Sequence, residues 1–147
     1  MLRAPLVGTL PPRRILHLAI GLPVRNAGDF RSAVDAISKG GNAPRRSYIT
    51  PAEFASRFAP SESNYRSVLR YARDVGLTVE RTYSGRVVVD VTGSVEAIQR
   101  AFHITLQTRR RPDGSLFYAP NEEPAVAIRT PILYVEGLDN EIVPPLQ

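Results

Sequence analysis

Two helix-start signals stand back to back between Tyr48 and Gly76, and no other stretch constrains the fold as strongly. Thr50 is placed as an N-cap, Pro51 suits the first helical position, and Glu53 can reach back to the cap's backbone N–H. Phe54, Ala55 and Phe58 then share one face. Pro60 interrupts, and Ser61 starts a second helix. Its apolar residues Tyr65, Val68, Leu69, Ala72 and Val75 form one stripe at the 3.6-residue period. Gly76 stands where a left-handed residue closes a helix. Two short helices of this kind must bury their stripes against strands on either side.

The flanking segments supply those strands. Ile15 to Leu22 is a near-continuous apolar run that suits a central strand, and His17 within it reads as a structural residue. Pro23 ends it. Asn26, with Asp29 three residues on, can cap a helix carrying Phe30, Ala33, Val34 and Ile37 on one face. Ser38 to Ser47, with Gly40, Gly41, Asn42 and Pro44, reads as a loop open to proteolysis. Leu77 to Tyr83 and Arg86 to Thr92 read as a hairpin joined by Ser84-Gly85. Val87, Val89 and Val91 share one face, Val88 and Asp90 the other. Gly93 is expected to break that strand, and Ser94 to cap a helix with Val95, Ile98, Ala101 and Phe102 inward.

Ile104 to Thr108 alternates as a half-buried strand. Arg109-Arg110-Arg111 reads as a solvated hairpin tip before the turn Pro112-Asp113-Gly114, and Leu116 to Ala119 returns. Ile132 to Val135 is a last short strand, followed by Gly137-Leu138-Asp139-Asn140 and an extended tail. With the middle helices set aside, the order is β-α-β-β-α-β with an added hairpin. The expected fold is α+β, a ferredoxin-like α/β sandwich built on the split β-α-β unit. Its antiparallel sheet carries helices on one face, and the other face is free for docking. Residues 1–14, with Pro5, Pro11 and Pro12, are expected to form an N-terminal arm, residues 15–140 the domain, and residues 141–147 a linker.

A chain of 147 residues forms one domain and buries a core without disulfides or metal. Cysteine is absent, which excludes thiolate nucleophiles and thiolate metal sites. No run approaches the ~18 apolar residues of a membrane span, and Met1 to Pro12 lacks the continuous apolar region of a signal peptide. Residues 1–60 carry nine bases against three acids, and residues 61–147 ten against eleven. That asymmetry admits a basic face for an acidic partner or nucleic acid, and equally a solvated surface.

No catalytic constellation is present. His17 lies in a strand and His103 follows a helix, while Glu122-Glu123 sits on a turn-like loop beside Pro124, where no rigid scaffold sets a catalytic geometry. No phosphate-binding loop, nucleophile elbow or H-E-x-x-H motif occurs. The reading is a binding protein, not an enzyme, with no cofactor and no metal of its own.

Eight short pieces then carry a resemblance, in order along the chain. They are Gly21-Leu22-Pro23-Val24-Arg25-Asn26, Tyr48-Ile49-Thr50-Pro51-Ala52-Glu53-Phe54, Phe58-Ala59-Pro60-Ser61-Glu62, Gly76-Leu77-Thr78-Val79, Val89-Asp90-Val91-Thr92-Gly93, Ala101-Phe102, Phe117-Tyr118-Ala119-Pro120 and Gly137-Leu138-Asp139-Asn140. Through them the chain resembles the activation domain, or propeptide, of the sedolisin (serine-carboxyl) peptidases, the kumamolisin-like group. It departs from the family's pattern at His103, where Gly is common after the Ala-Phe pair, and at Arg45-Arg46-Ser47, where many relatives carry a His.

The resemblance implies an intramolecular chaperone that also holds a protease inactive until acid triggers processing. Catalytic Glu, Asp and Ser residues and a calcium site are implied only for a subtilisin-like domain C-terminal to such a propeptide. This chain is therefore expected to cleave nothing. Its implied partner is a cognate sedolisin catalytic domain, with no nucleic acid, no membrane and a monomeric state in isolation, and the family implies secretion. Leu138, Asp139, Asn140 and Glu141 are the candidate protease contact, with the tail from Asp139 onward running into the cleft as an added strand. Basic groups of this chain facing acidic groups of the protease would lose their attraction as carboxylates protonate near ~4; Asp139 and Glu141 are the local candidates for such a switch. An RNA-binding ferredoxin-like module is the competing reading, weakened because the strand from Val87 to Val91 has no aromatic on which to stack a base. A regulatory ligand-binding domain has no motif in its favour.

Overall fold

A computed structural model describes residues 4–39, 50–126 and 130–140. The elements are β1 (Leu6–Thr9), β2 (Ile15–Gly21), α1 (Ala27–Lys39), α2 (Pro51–Arg57), α3 (Glu62–Asp74), β3 (Thr78–Thr82), β4 (Val88–Ser94), α4 (Val95–Phe102), β5 (Leu106–Arg110), β6 (Leu116–Pro120) and β7 (Tyr134–Glu136).

The helix starts follow the local signals. Thr50, Ser61 and Ser94 are N-caps, their hydroxyl oxygens accepting from the backbone N–H groups of Glu53, Asn64 and Ala97. Each satisfies an N–H that has no partner within its helix. Gly76 closes the α3 segment at φ +94°, where a side chain would be strained. The far end of α2 is held from outside its own sequence. Arg25 donates to the carbonyls of Ala55, Ser56 and Ala59, and Asn26 donates to that of Arg57. A guanidinium at a helix C-terminus satisfies open carbonyls and opposes the negative end of the helix dipole. The side chain of Asn26, expected to cap α1, thus reaches α2 instead.

Four antiparallel strands form the main sheet in the order β3-β4-β2-β7. The connection from β2 to β3, through α1 to α3, straddles β4; the connection from β4 to β7 straddles β2. This is the split β-α-β arrangement of the expected ferredoxin-like sandwich. One face of the sheet carries Leu16, Leu18, Ile20, Val89 and Val91. These are buried with Tyr65, Val68 and Ala72 of α3 and Val95, Ile98, Ala101 and Phe102 of α4. The two helices press their 3.6-period stripes onto the period-2 apolar face of β2 and β4. In α1, Val34 was expected to face inward but is 41% exposed, whereas the side chains of Phe30, Ala33 and Ile37 lie outside the described ones.

Three expectations are corrected. The segment beginning at Ile104 does not provide the fourth strand of the main sheet: β5 joins β1 and β6 in a separate three-stranded sheet, and β7 takes the place beside β2. The N-terminal arm is not free. β1 pairs with β5, Leu10 is buried, and the carbonyls of Pro12 and Arg14 accept from Glu96 and Val95 at the start of α4. Proline excludes a helix there, but an edge strand tolerates Pro5 at its entrance. Gly93 does not break β4. It pairs with Leu16, and the Leu77 side chain occupies the space over its Cα, where a Cβ would stand 2.6 Å from Leu77 Cδ2.

Candidate functional site

The face of the main sheet opposite α3 and α4 has no element over it among the described residues. Strand alternation sends Ile15, His17 and Ala19 of β2 to this side, because Leu16, Leu18 and Ile20 go to the core. Register places Thr92, Asp90 and Val88 of β4 opposite His17, Ala19 and Gly21. β3 adds Thr78, opposite Thr92, and Arg81, opposite Asp90, with a register irregularity between Val79 and Arg81 that admits Glu80. β7 adds Glu136 beside Ala19 and Tyr134 beside Gly21.

The result is a shallow concavity of about 630 Å³ lined by charged side chains of β3, β4 and β7 and by His17, together with Leu18, Ala19 and Gly137. Within its lining the His17 ring lies 3.1 Å from a Glu80 carboxylate oxygen, with the two side chains 73% and 50% exposed. The Tyr83 hydroxyl donates to Asp90 over 2.5 Å, and the Arg81 guanidinium stands 5.9 Å from the centre of the Tyr83 ring. His17 is thus a surface residue of the open face, and its place in an apolar run concealed that. The only signal in the sequence was parity: His17 is one residue out of phase with Leu16 and Leu18.

A second feature adjoins this face. After β7 the chain turns at Gly137, at φ +103°, where a Cβ would meet the His17 carbonyl oxygen at 2.5 Å. Leu138, one of the four expected contact residues, is 4% exposed; its side chain anchors this segment in the core and is not presented outward. Asp139 and Asn140 are exposed, and Glu141 lies outside the described residues.

Asn140 is tied to β6 on both sides of its backbone. Its N–H donates to the Tyr118 carbonyl at 3.1 Å, its side-chain oxygen accepts from the Tyr118 N–H at 2.6 Å, and its carbonyl accepts from Arg111 at 2.7 Å. The arginine run is therefore more than a solvated tip. Arg109 donates to the Ala4 carbonyl and to Gln107, Arg110 to the Gly114 carbonyl, and Arg111 also holds the Leu116 carbonyl of its own hairpin.

Glu122 and Glu123 are exposed, and so is His103 at the end of α4. No group of three or more potential metal-ligating side chains occurs among the described residues. No helix of the described residues is long and apolar enough to cross a membrane. Two ionisable groups among the described residues depart from their ordinary behaviour. Burial raises the pKa of Tyr65, whose hydroxyl donates to the Val88 carbonyl and accepts from the Tyr83 N–H. Hydrogen bonds from the Ser115 hydroxyl and backbone N–H lower that of Asp113.

Known proteins match this chain over most of its length. The chain is 28% identical over 109 residues to sedolisin of Pseudomonas sp. (strain 101), a match covering 74% of this chain and 18% of that protein. It is 25% identical over 111 residues to xanthomonalisin of Xanthomonas sp. (strain T-22), covering 76% of this chain and 13% of that protein. The chain thus spans less than a fifth of the length of the curated relatives it matches. Residues 3–141 match the family described as pro-kumamolisin, activation domain, and the chain belongs to that family.

Proposed function

We propose that this chain works as the propeptide of a sedolisin-type serine-carboxyl peptidase, serving as an intramolecular chaperone and as an inhibitor released by acid. The family match over residues 3–141 carries this reading. The fold supports it: a sheet with one face buried by helices and the other uncovered offers a rigid surface on which a second domain can be held or templated. The clasp at Asn140 supports it too, because it gives a defined point from which an extended segment departs toward a cleft. The chain itself contributes no catalysis, metal or cofactor; calcium belongs to the peptidase domain. Its partner is the cognate catalytic domain, and the pair is exported. The acid-lined open face makes poor ground for the RNA-binding alternative, since it repels phosphate.

The test is inhibition of a sedolisin-type catalytic domain, titrated with this chain from neutrality to about pH 3, the range in which carboxylates lose charge. Tight inhibition near neutrality that fades on acidification is the expected result. A folded chain that inhibits at no pH would overturn the reading.

A further inference from the structure

From the charge of the open sheet face we infer the chemistry of the surface that covers it: a patch of the catalytic domain rich in Lys and Arg. The inference rests on the propeptide reading and deepens it. The chain as a whole carries a net charge of +5, yet the described side chains lining the concavity on its open face sum to the opposite sign. Glu80, Asp90 and Glu136 line the concavity against one permanent cation, Arg81, with His17 between them. With the imidazole neutral, three acids and one base leave this face at −2. A docking surface of inverted sign on a basic chain selects a basic partner surface and disfavours an acidic one. This reverses the polarity expected from composition, in which bases of this chain faced acids of the protease.

The same five side chains account for release. They come from every strand of the sheet: His17 from β2, Glu80 and Arg81 from β3, Asp90 from β4 and Glu136 from β7. The Tyr83 phenol, which donates to Asp90, is a further titratable group facing them among the described residues. Acid protonates carboxylates and imidazoles alike. When all five side chains are in their acid forms, His17 and Arg81 leave the face at +2. The face then changes sign, and attraction to a basic surface turns into repulsion across a low-dielectric contact.

The experiment measures the inhibition constant of the full chain against a sedolisin-type catalytic domain at neutral pH, with circular dichroism confirming that each variant is folded. Glu136→Lys and Glu80→Lys, at exposed positions, are each expected to weaken inhibition by about tenfold, and Arg81→Glu to tighten it. The double variant Glu80→Gln/Glu136→Gln is expected to bind more weakly at neutrality and to lose part of its acid dependence. Tightening by the lysine variants together with weakening by Arg81→Glu means an acidic partner and overturns the inference. Inhibition unmoved by any of these changes shows that another surface docks, and overturns it as well. Failure of the unaltered chain to inhibit is a different outcome, because it removes the propeptide reading itself.

Discussion

The ring of Tyr134 lies across Gly21. A methyl group added to Gly21 would stand 2.0 Å from Tyr134 Cε1, far inside van der Waals contact. The two residues pair across β2 and β7, so the glycine is where the last strand gains a side-chain contact with the sheet. An aromatic laid over a cross-strand glycine covers backbone that would otherwise be bare. Gly21→Ala is therefore expected to destabilise the fold by about 1–3 kcal/mol, the ordinary cost of overpacking. Urea unfolding of Gly21→Ala, Tyr134→Ala and the double variant checks this. The double variant should lose less than the sum of the single losses, because removing the ring frees the space the methyl needs.

His103 occupies a left-handed conformation, φ 55° and ψ 46°, at the end of α4. This backbone shape costs an L-residue about 1–2 kcal/mol. His103→Gly is expected to raise the melting temperature by about 3 °C, corresponding to about 1 kcal/mol in a domain of this size. Arg86, also left-handed at φ 58°, is the contrast. Its Nε donates to the Pro60 carbonyl at 2.6 Å, so Arg86→Gly relieves strain but loses a charged hydrogen bond, and no gain is expected. Thermal unfolding of both variants separates the two cases.

The clasp between Arg111 and Asn140 should set how far the chain stays docked before its tail departs. Arg111→Ala is expected to leave the core intact, since Leu138 remains buried, while loosening residues 139–140. Hydrogen exchange reads this directly: the Asn140 N–H, bonded to the Tyr118 carbonyl, should exchange about tenfold faster in the variant, matching the loss of one charged hydrogen bond. An unchanged rate would show that β6 alone holds the segment.

Asp113 supplies a pH-dependent contribution whose sign follows from its cause. Hydrogen bonds from Ser115 hold its pKa below the usual value of about 3.9. A depressed folded-state value means stability that is present above the unfolded-state pKa and lost as pH falls through the folded one. The side chain is at the surface, so the effect is confined to the β5–β6 hairpin turn. Carboxyl chemical shifts followed by NMR should show Asp113 titrating below a normal aspartate, and Ser115→Ala should return it toward the ordinary range.

Much of the local structure was legible before any tertiary information. Thr50, Ser61 and Ser94 as caps, the stripe on α3 and the left-handed Gly76 are each written within a few residues of one another. The open sheet face was harder to see. His17 sits in an apolar run, and its outward direction depends only on its phase relative to Leu16 and Leu18. The charges that surround it come from β3, β4 and β7, between 63 and 119 residues further along the chain. Leu138 reads in the sequence as a candidate protease contact, and only the packing around it shows that it belongs to the core.

The sequence by itself determined the starts of α2, α3 and α4, the two faces of β4 and the family, because caps, periods and motifs act over one or two turns of chain. Tertiary structure alone decided that β7 completes the main sheet while β5 leaves it. It also decided that residues 6–9 join as an edge strand and that the open face is acidic on a basic chain. Strand pairing is a choice among distant partners with similar local preferences, and it is settled by which arrangement buries the most apolar surface with every backbone group paired.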